Sequence, residues 1–137
     1  MSDCIFCRIL SGEIPAFRIY EDEATLAFMD INPVSEGHLL VIPRKHFSNI
    51  WDSDPAALGQ VMATAKRVAI ALRDVLGVDS LNLLQANGRW AVQSVEHFHL
   101  HLIPRRENDN VGLDWALKEG NIAAIKEVAD LMIENLK

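Results

Sequence analysis

Three of the chain's five histidines, His97, His99 and His101, lie within one five-residue window. Their spacing of two residues matches the period of a β-strand, on which alternate side chains point to the same face. Phe98 and Leu100 would then lie on the opposite face and pack against a core. Imidazole is a nucleophile, a general base and a metal ligand near neutral pH. We therefore expect this strand to carry the chemistry of the protein.

The three imidazoles cannot all bind one metal ion. On a regular strand His97 and His101 would be about 13 Å apart, at roughly 3.3 Å per residue, whereas a zinc–nitrogen bond is about 2.0–2.1 Å long. His97 and His99 could bind one ion together. The row must therefore divide its roles or bind an elongated polar ligand. A merely solvated strand face is the less favoured interpretation, since charged or hydroxyl residues would serve it equally well.

The two cysteines, Cys4 and Cys7, have the spacing of a redox pair or of half a zinc site. A thioredoxin-like motif should follow a strand, for which the three residues before Cys4 are too few. Zinc needs two further ligands, and the histidines can supply them. We favour a zinc site over an inert cysteine pair.

Composition limits the class of protein. The chain has 137 residues, half of them hydrophobic, which fits a single domain over residues 1–137. The formal net charge of −6 argues against broad nucleic-acid binding, but a local site can still bind a small phosphorylated ligand. No apolar run approaches the roughly 20 residues of a membrane span, and the first residues lack the pattern of a secretory signal. We expect a cytoplasmic protein without a membrane or nucleic-acid partner.

Hydrophobic periodicity and turn signals predict the elements that position these residues. After a short knuckle and helical turn at residues 1–12, strands are predicted at residues 17–21, 25–29, 38–42, 80–86 and 95–105. Asp54 and Pro55 begin a long helix that Gly77 ends, and an amphipathic helix begins near Asn121. The pattern indicates one α+β domain with an antiparallel sheet of about five strands, one long central helix and a C-terminal helix.

Residues 97–103, His-Phe-His-Leu-His-Leu-Ile, match the histidine triad pattern of the HIT superfamily of nucleotide hydrolases and transferases. Supporting segments occur in the family's order at residues 4–7, 28–33, 37–46, 87–88 and 93–95. The chain resembles this superfamily along nearly its whole length and is most similar to the small Hint-like branch that carries a zinc site. The resemblance implies a HIT-like fold and a homodimer, which small members usually form.

The resemblance assigns His99 as the nucleophile. Its imidazole would attack the α-phosphorus of a nucleotide and form a nucleotidyl-histidine intermediate, which water then hydrolyses. His101 would donate to phosphate oxygens, and Ser94 would hydrogen-bond the phosphate or the leaving group. His38 matches the family's fourth active-site histidine, which supports the nucleophile.

Residues that bind the nucleotide are implied in the same way. Asp30 matches the carboxylate that accepts hydrogen bonds from the ribose hydroxyls, although an aspartate before Asn-Pro also suits a turn. Asn87 matches a phosphate-contacting asparagine, and Gln93 belongs to the loop beside the phosphate. A slot for the base, with a purine expected, would be formed by apolar residues that could otherwise be ordinary core: Ile5, Phe6, Phe28 and Ile31.

The zinc ligands implied by the resemblance are Cys4, Cys7, His46 and His97. A closed set of four ligands is structural, because it leaves no open position for water. It would fix the N-terminal segment to the histidine strand. The alternative for His46 is an ordinary surface residue.

One position departs from the family pattern. Val92 stands where members usually have glycine, just before Gln93 and Ser94. Glycine permits a positive φ and a close approach to phosphate, and a β-branched residue resists both. We expect either a different course of this loop or a shifted substrate preference.

Two other functions stay open at this point. One is a metal-dependent hydrolase in which His97 and His99 hold an open zinc that activates water. The other is a non-catalytic nucleotide-binding or partner-regulating module, against which the intact His99, Ser94 and Asn87 argue. Candidate substrates such as adenosine phosphoramidates, aminoacyl-adenylates and dinucleoside polyphosphates share a nucleoside α-phosphate and differ in the leaving group.

Overall fold

The computed structural model describes residues 3–137, so Met1 and Ser2, which begin the predicted knuckle, lie outside the described residues. Within this range the chain forms α1 (Ile5–Leu10), β1 (Arg18–Glu21), β2 (Thr25–Met29), β3 (Leu39–Pro43), α2 (Pro55–Leu76), β4 (Ser80–Leu84), β5 (Leu100–Arg105) and α3 (Ile122–Asn135). The strands make one antiparallel sheet in the order β1-β2-β3-β5-β4. The predicted α+β architecture is confirmed.

The central helix α2 begins and ends where the sequence predicts. The Asp54 carboxylate accepts a hydrogen bond from the Ala56 N–H at 3.1 Å, and Pro55 occupies the first position of the helix. Gly77 has a φ of 67°, and its N–H bonds the Arg73 carbonyl to end the helix. One face of α2 is buried on the sheet through Ala57, Val61, Thr64, Ala65, Val68 and Leu72.

The opposite face of the sheet is covered by α1. Phe6 and Ile9 of this six-residue helix are buried against Leu26, Phe28, Leu40 and Ile42. The helix is capped by Cys4, whose Sγ accepts a hydrogen bond from the Cys7 N–H at 3.4 Å. The sheet therefore lies between two helices of very different length.

The histidine strand is shorter than predicted. β5 begins at Leu100, so His101 is the only triad histidine within it. Residues 95–97 form a bend. The Phe98 N–H donates to the carbonyl of Phe47, in the loop after β3, at 2.8 Å instead of joining the sheet. This loop contact ends the strand early.

The predicted alternation of faces nevertheless continues through the bend. Phe98, Leu100 and Leu102 are buried in the core beneath α2. His97 and His99 face α1 and are 0% and 3% exposed. The histidines are therefore held in a packed layer and not displayed on an open strand.

The C-terminal helix α3 also begins as predicted. The Asn121 side chain accepts a hydrogen bond from the Ala124 N–H at 3.0 Å. None of the residues of α3 is buried. Among the helices of residues 3–137, none combines the length and the apolar character needed to cross a membrane.

Candidate active site and metal centre

Four potential metal ligands converge where α1 meets the loop after β3. The ligand atoms of Cys4, Cys7, His46 and His97 lie within 4.8 Å of one another. Cys7 Sγ is 3.4 Å from His46 Nδ1, and the Nδ1 atoms of His46 and His97 are 3.1 Å apart. Tetrahedral zinc, with bonds of about 2.0–2.3 Å, separates its ligand atoms by roughly 3.3–3.8 Å. The two sulfurs and two nitrogens therefore fit a closed zinc site.

A backbone carbonyl decides which nitrogen of His97 faces this cluster. Its Nε2 lies 2.8 Å from the Pro43 oxygen, and because a carbonyl can only accept, Nε2 carries the proton. Nδ1 then keeps its lone pair, 3.4 Å from Cys4 Sγ and 3.6 Å from Cys7 Sγ. Burial lowers the pKa of His97 to about 4. The ring is thus neutral at pH 7, as metal binding requires.

His99 is anchored through the other nitrogen. Its Nδ1 lies 2.7 Å from the backbone oxygen of His97, so Nδ1 carries the proton and Nε2 keeps the lone pair. The Phe6 ring packs edge-on against the imidazole, with ring centroids 5.1 Å apart. Burial lowers the pKa of His99, which keeps the ring neutral. A neutral imidazole of fixed tautomer with a lone pair at Nε2 is what a nucleophile needs.

Hydrogen bonds fix the protons of His38 and His101 in turn. The Val34 N–H donates to His38 Nδ1 at 3.1 Å, so a neutral His38 carries its proton on Nε2. That nitrogen lies 2.9 Å from His101 Nδ1 and 3.5 Å from an Asp30 oxygen. His101 accepts at Nδ1 and therefore has an N–H at Nε2. Burial lowers the pKa of His101 to about 4, with the neighbouring His99 and His38 adding to the effect, and burial also lowers the pKa of His38.

Most residues that the sequence predicts to act on the phosphate and the ribose line one cavity of about 510 Å³, a size typical of small-molecule sites. His38, His99, His101, Ser94 and Asp30 all line it. The lining also includes the four residues predicted for the base slot, Ile5, Phe6, Phe28 and Ile31. The metal-cluster histidines do not line it. The five histidines are therefore divided between two adjacent sites.

Asp30 satisfies both interpretations of its sequence context. Its Oδ1 accepts a hydrogen bond from the Asn32 N–H at 2.8 Å, which forms the predicted turn. Its Oδ2 is the oxygen near His38, and the residue lines the cavity. The turn leaves a carboxylate oxygen on the cavity side.

Asn87 and Gln93 lie outside the residues that line the cavity. Asn87 Oδ1 accepts a hydrogen bond from the Ile50 N–H at 2.8 Å. Gln93 Oε1 accepts from the Gly88 N–H at 2.9 Å, and its Nε2 donates to the Val95 carbonyl at 3.0 Å. Both amides therefore hold the loop between β4 and β5 in place.

Val92 adopts the conformation that favours glycine. Its φ is 63° and its ψ is 45°, and it follows a short 3₁₀ turn at Arg89–Ala91. The side chain is 81% exposed, so no packing compensates for the strain of a β-branched residue in the left-handed region. The loop thus keeps a glycine-like backbone without the glycine.

Sequence analysis missed two backbone groups that matter here. The Val34 N–H and the Pro43 carbonyl select the ring nitrogens of His38 and His97. Backbone groups carry no residue-type signature, so no motif could have indicated them. Apolar members of the cavity lining were also missed, since their hydrophobicity predicts burial and not a cavity: Ile9, Ile14, Pro15, Ala16, Met29 and Leu40.

A comparison with known protein families assigns the chain. The HIT domain family model matches residues 11–108, the greater part of the sequence. The chain belongs to the HIT family. This HIT protein is 42% identical over 117 residues to the adenosine 5'-monophosphoramidase HNT1 of Saccharomyces cerevisiae, covering 85% of this chain and 72% of that protein. It is 35% identical over 131 residues to the adenylylsulfatase HINT3 of Arabidopsis thaliana, covering 96% of this chain and 66% of that protein.

Solved structures agree with the family assignment. SMU.412c from Streptococcus mutans superposes on the HIT protein with a TM-score of 0.94 at 34% identity, covering 100% of this chain and 87% of that chain. A zinc-bound histidine triad family protein from Mycobacterium smegmatis superposes with a TM-score of 0.77 at 35% identity, covering 98% of both chains. The fold is therefore the HIT fold, and the resemblance stated from the sequence is confirmed at the level of the superfamily.

Proposed function

We propose that this HIT protein hydrolyses or transfers nucleotides at the α-phosphate, through a nucleotidyl intermediate on His99. The substrates would be phosphoramidates of purine nucleotides or dinucleoside polyphosphates. One observation carries the proposal: a buried, neutral His99 is anchored at Nδ1 and lines a cavity that also contains Asp30 and Ser94. The named activities of the yeast and Arabidopsis relatives support a reaction on nucleotides.

In the first step His99 Nε2 forms a bond to the α-phosphorus. The bond from phosphorus to the leaving nitrogen or oxygen breaks, and the leaving atom takes a proton from solvent, which the release of a proton in the second step balances. The Nε2–H of His101 donates to a phosphate oxygen, where negative charge accumulates in the transition state. The Ser94 hydroxyl lies at the same cavity and would hydrogen-bond the leaving atom.

His38 acts through its neighbour in this scheme. By donating from Nε2 to His101 Nδ1 at 2.9 Å, it holds the tautomer of His101 that has its N–H free for the phosphate. The Val34 N–H fixes His38 in turn. The relay therefore pre-organises the donor before substrate binds.

In the second step water attacks the same phosphorus. A new phosphorus–oxygen bond forms, the bond to His99 breaks, and the nucleoside monophosphate leaves while a proton is released to solvent. If an alcohol or amine replaces water, the same chemistry transfers the nucleotide.

The nucleoside would occupy the apolar part of the cavity. Phe6 and Phe28 form one wall with ring centroids 5.5 Å apart. Ile5 and Ile31 also line the cavity and are exposed, so a purine would cover them. Asp30 would accept the ribose hydroxyls through its cavity-side oxygen. We assign Asn87 and Gln93 to holding the loop and not to direct contact with the phosphate.

Zinc is proposed as a structural cofactor on Cys4, Cys7, His46 and His97. Once bound, it would cross-link α1 and the β3–α2 loop to the segment that leads into His99. The zinc-bound neighbour from Mycobacterium smegmatis supports this assignment. The backbone carbonyl of ligand His97 is also the anchor of His99, so the metal site and the nucleophile share one residue.

An open catalytic zinc on His97 and His99 is less well supported. Within residues 3–137, neither of the two groups of potential metal ligands includes His99. The Nδ1 of His99 is already bound to a carbonyl. The homodimer and the cytoplasmic location expected from the sequence stay predictions.

The covalent intermediate provides the test. The protein is mixed with an adenosine phosphoramidate, an aminoacyl-adenylate and a diadenosine polyphosphate in parallel, and quenched samples are analysed by intact mass. We expect one adenylyl group on the wild type, mapped to His99, and none on His99→Ala. Undiminished turnover in His99→Ala would reject the nucleophile, and turnover that chelation stops at once without any adduct would favour the open-metal hydrolase.

A further inference from the structure

Asp30, His38 and His101 form a second group of potential metal ligands in the described part of the chain. Their ligand atoms lie within 4.8 Å of one another. His38 Nε2 is 2.9 Å from His101 Nδ1 and 3.5 Å from an Asp30 oxygen. Two imidazoles and one carboxylate are a ligand set that zinc and other divalent transition metals accept, with open positions left for water or substrate. By composition alone this group would be a metal site on the wall of the cavity that the three residues line.

The proton on His38 opposes such a site. A ring nitrogen binds a metal through its lone pair, so it must not carry a proton. The Val34 N–H donates to His38 Nδ1 at 3.1 Å, and because a backbone N–H can only donate, Nδ1 has to be the unprotonated nitrogen. The proton of the neutral ring is then on Nε2, the nitrogen that faces Asp30 and His101.

Moving that proton to Nδ1 would free Nε2 for a metal but would set two N–H groups against each other. The Val34 N–H would then lose its acceptor on the His38 ring. His38 is 3% exposed, so the ring has little room to turn away and water has little room to come between the two groups. An unpaired donor at a buried position lowers the affinity for the metal by about 10- to 100-fold.

The group Cys4, Cys7, His46 and His97 meets the opposite kind of backbone group. There the Pro43 carbonyl accepts from the Nε2–H of His97 at 2.8 Å, so Nδ1 presents its lone pair to the two sulfurs. A backbone acceptor thus opens His97 to a metal, and a backbone donor closes His38 to one. The two ligand groups share one short segment, since His97 and His101 are separated by at most about 13 Å of chain. Zinc that reaches one group is therefore also near the other.

We propose that Asp30, His38 and His101 are a latent zinc site that the Val34 N–H keeps closed. A zinc ion admitted here would take the Nδ1 lone pair of His101 and a carboxylate oxygen of Asp30, and would narrow the cavity. The closure keeps the cavity available to its organic ligand, and it does not depend on the reaction that the cavity carries out. Only the backbone of Val34 is involved, and its side chain is 52% exposed, so the residue type at this position carries no sign of the role.

Removing one hydrogen tests the closure. Val34→Pro deletes the N–H, and Val34→Ala is the matched control that keeps it. In a third protein Val34 is replaced by its α-hydroxy acid, so that an ester oxygen stands where the N–H was and the side chain is unchanged. Zinc binding is measured by equilibrium dialysis and metal analysis. We expect both proteins without the N–H to bind one zinc ion more than the wild type, at least about tenfold more tightly than the wild type binds any second ion, while Val34→Ala behaves as the wild type does.

Cobalt locates the extra ion. Co²⁺ on a cysteine thiolate gives a strong charge-transfer band in the near ultraviolet, whereas Co²⁺ on imidazole and carboxylate does not. The additional equivalent should therefore add no such band, and His101→Gln in the same background should abolish it. The proposal is overturned if neither protein without the N–H gains an ion over the wild type, if Val34→Ala gains one equally, or if the extra ion persists after His101→Gln. If Val34→Pro does not fold, the ester protein decides between these outcomes by itself.

Discussion

His97 and His99 are two residues apart and face the same helix, yet their ring nitrogens are placed for different chemistry. His97 gives its Nε2–H to a carbonyl and turns Nδ1 to two cysteines. His99 gives its Nδ1–H to a carbonyl and keeps the lone pair of Nε2 for the cavity. The difference lies in which ring nitrogen the backbone engages, and not in the residue type.

Under the proposed function, one short motif would serve both a metal centre and a reaction centre. Both rings are buried and both have lowered pKa values, so both are neutral at pH 7. Neutrality is required for a metal ligand and for a nucleophile alike. The assignment of roles then depends on geometry. Substitutions at the metal ligands should therefore affect stability, whereas substitutions at the cavity histidines should affect activity.

The largest expected effect is on chemistry alone. His99→Asn keeps an N–H near the position of Nδ1 for the His97 carbonyl but has no nucleophilic nitrogen, so we expect kcat/KM to fall by about 10⁴-fold. Zinc content and the melting temperature should stay near the wild-type values. A loss of less than tenfold, measured with an adenosine phosphoramidate, would contradict the division of roles.

The second test removes the metal side. His46 is exposed, so His46→Ala should cost little stability unless a metal is bound. With zinc bound we expect the free energy of unfolding to fall by about 4 kcal/mol and the melting temperature to fall by roughly 14 °C. Lys45→Ala, next in the chain and also exposed, is the control and should change neither. Equal melting curves and equal zinc contents for the two variants would contradict the assignment of His46 as a zinc ligand.

A third variant tests whether His38 positions His101 for catalysis. His38→Ala removes the donor that fixes His101, so we expect kcat to fall about 100-fold with a smaller change in KM. The acid limb of the pH–rate profile should shift, because His101 loses a neighbour that lowers its pKa. A merely structural role would lower the melting temperature and leave this profile unchanged.

The pH dependence of stability follows from the lowered pKa of His101. Below about pH 6.5 the unfolded chain binds protons on its histidines, while the folded chain keeps His101 neutral down to about pH 4. The stability contributed by the neutral ring is therefore complete above about pH 6.5 and is lost progressively as the pH falls toward 4. Thermal unfolding from pH 7 to pH 5 should show a decline, and His101→Gln should decline less. Identical slopes would argue against a neutral, half-buried His101.

The smallest effect concerns the loop on the reaction side. A β-branched residue at a φ of 63° is strained, by about 1 kcal/mol. Val92→Asn should therefore raise the melting temperature by a few degrees, because asparagine tolerates this conformation. Val95→Asn, three residues further on at a half-buried position, should lower it. A destabilised Val92→Asn would show that Val92 makes contacts outside the single chain.

Much of the fold could be predicted because its signals are local. The cap at Asp54, the stop at Gly77 and the start near Asn121 each depend on residues close in sequence, and each prediction is confirmed. The start of the histidine strand was predicted wrongly because it depends on a distant partner. The carbonyl of Phe47 engages the Phe98 N–H and ends the sheet pairing early.

By itself the sequence determined the residue types, the two-faced alternation of the histidine segment and the family to which they belong, because these are properties of order and spacing. Only the tertiary structure decided which nitrogen each histidine presents. That choice is made by the carbonyls of Pro43 and His97 and by the N–H of Val34. Every residue except proline has the same backbone donor and acceptor, so their positions are known only once the chain has folded.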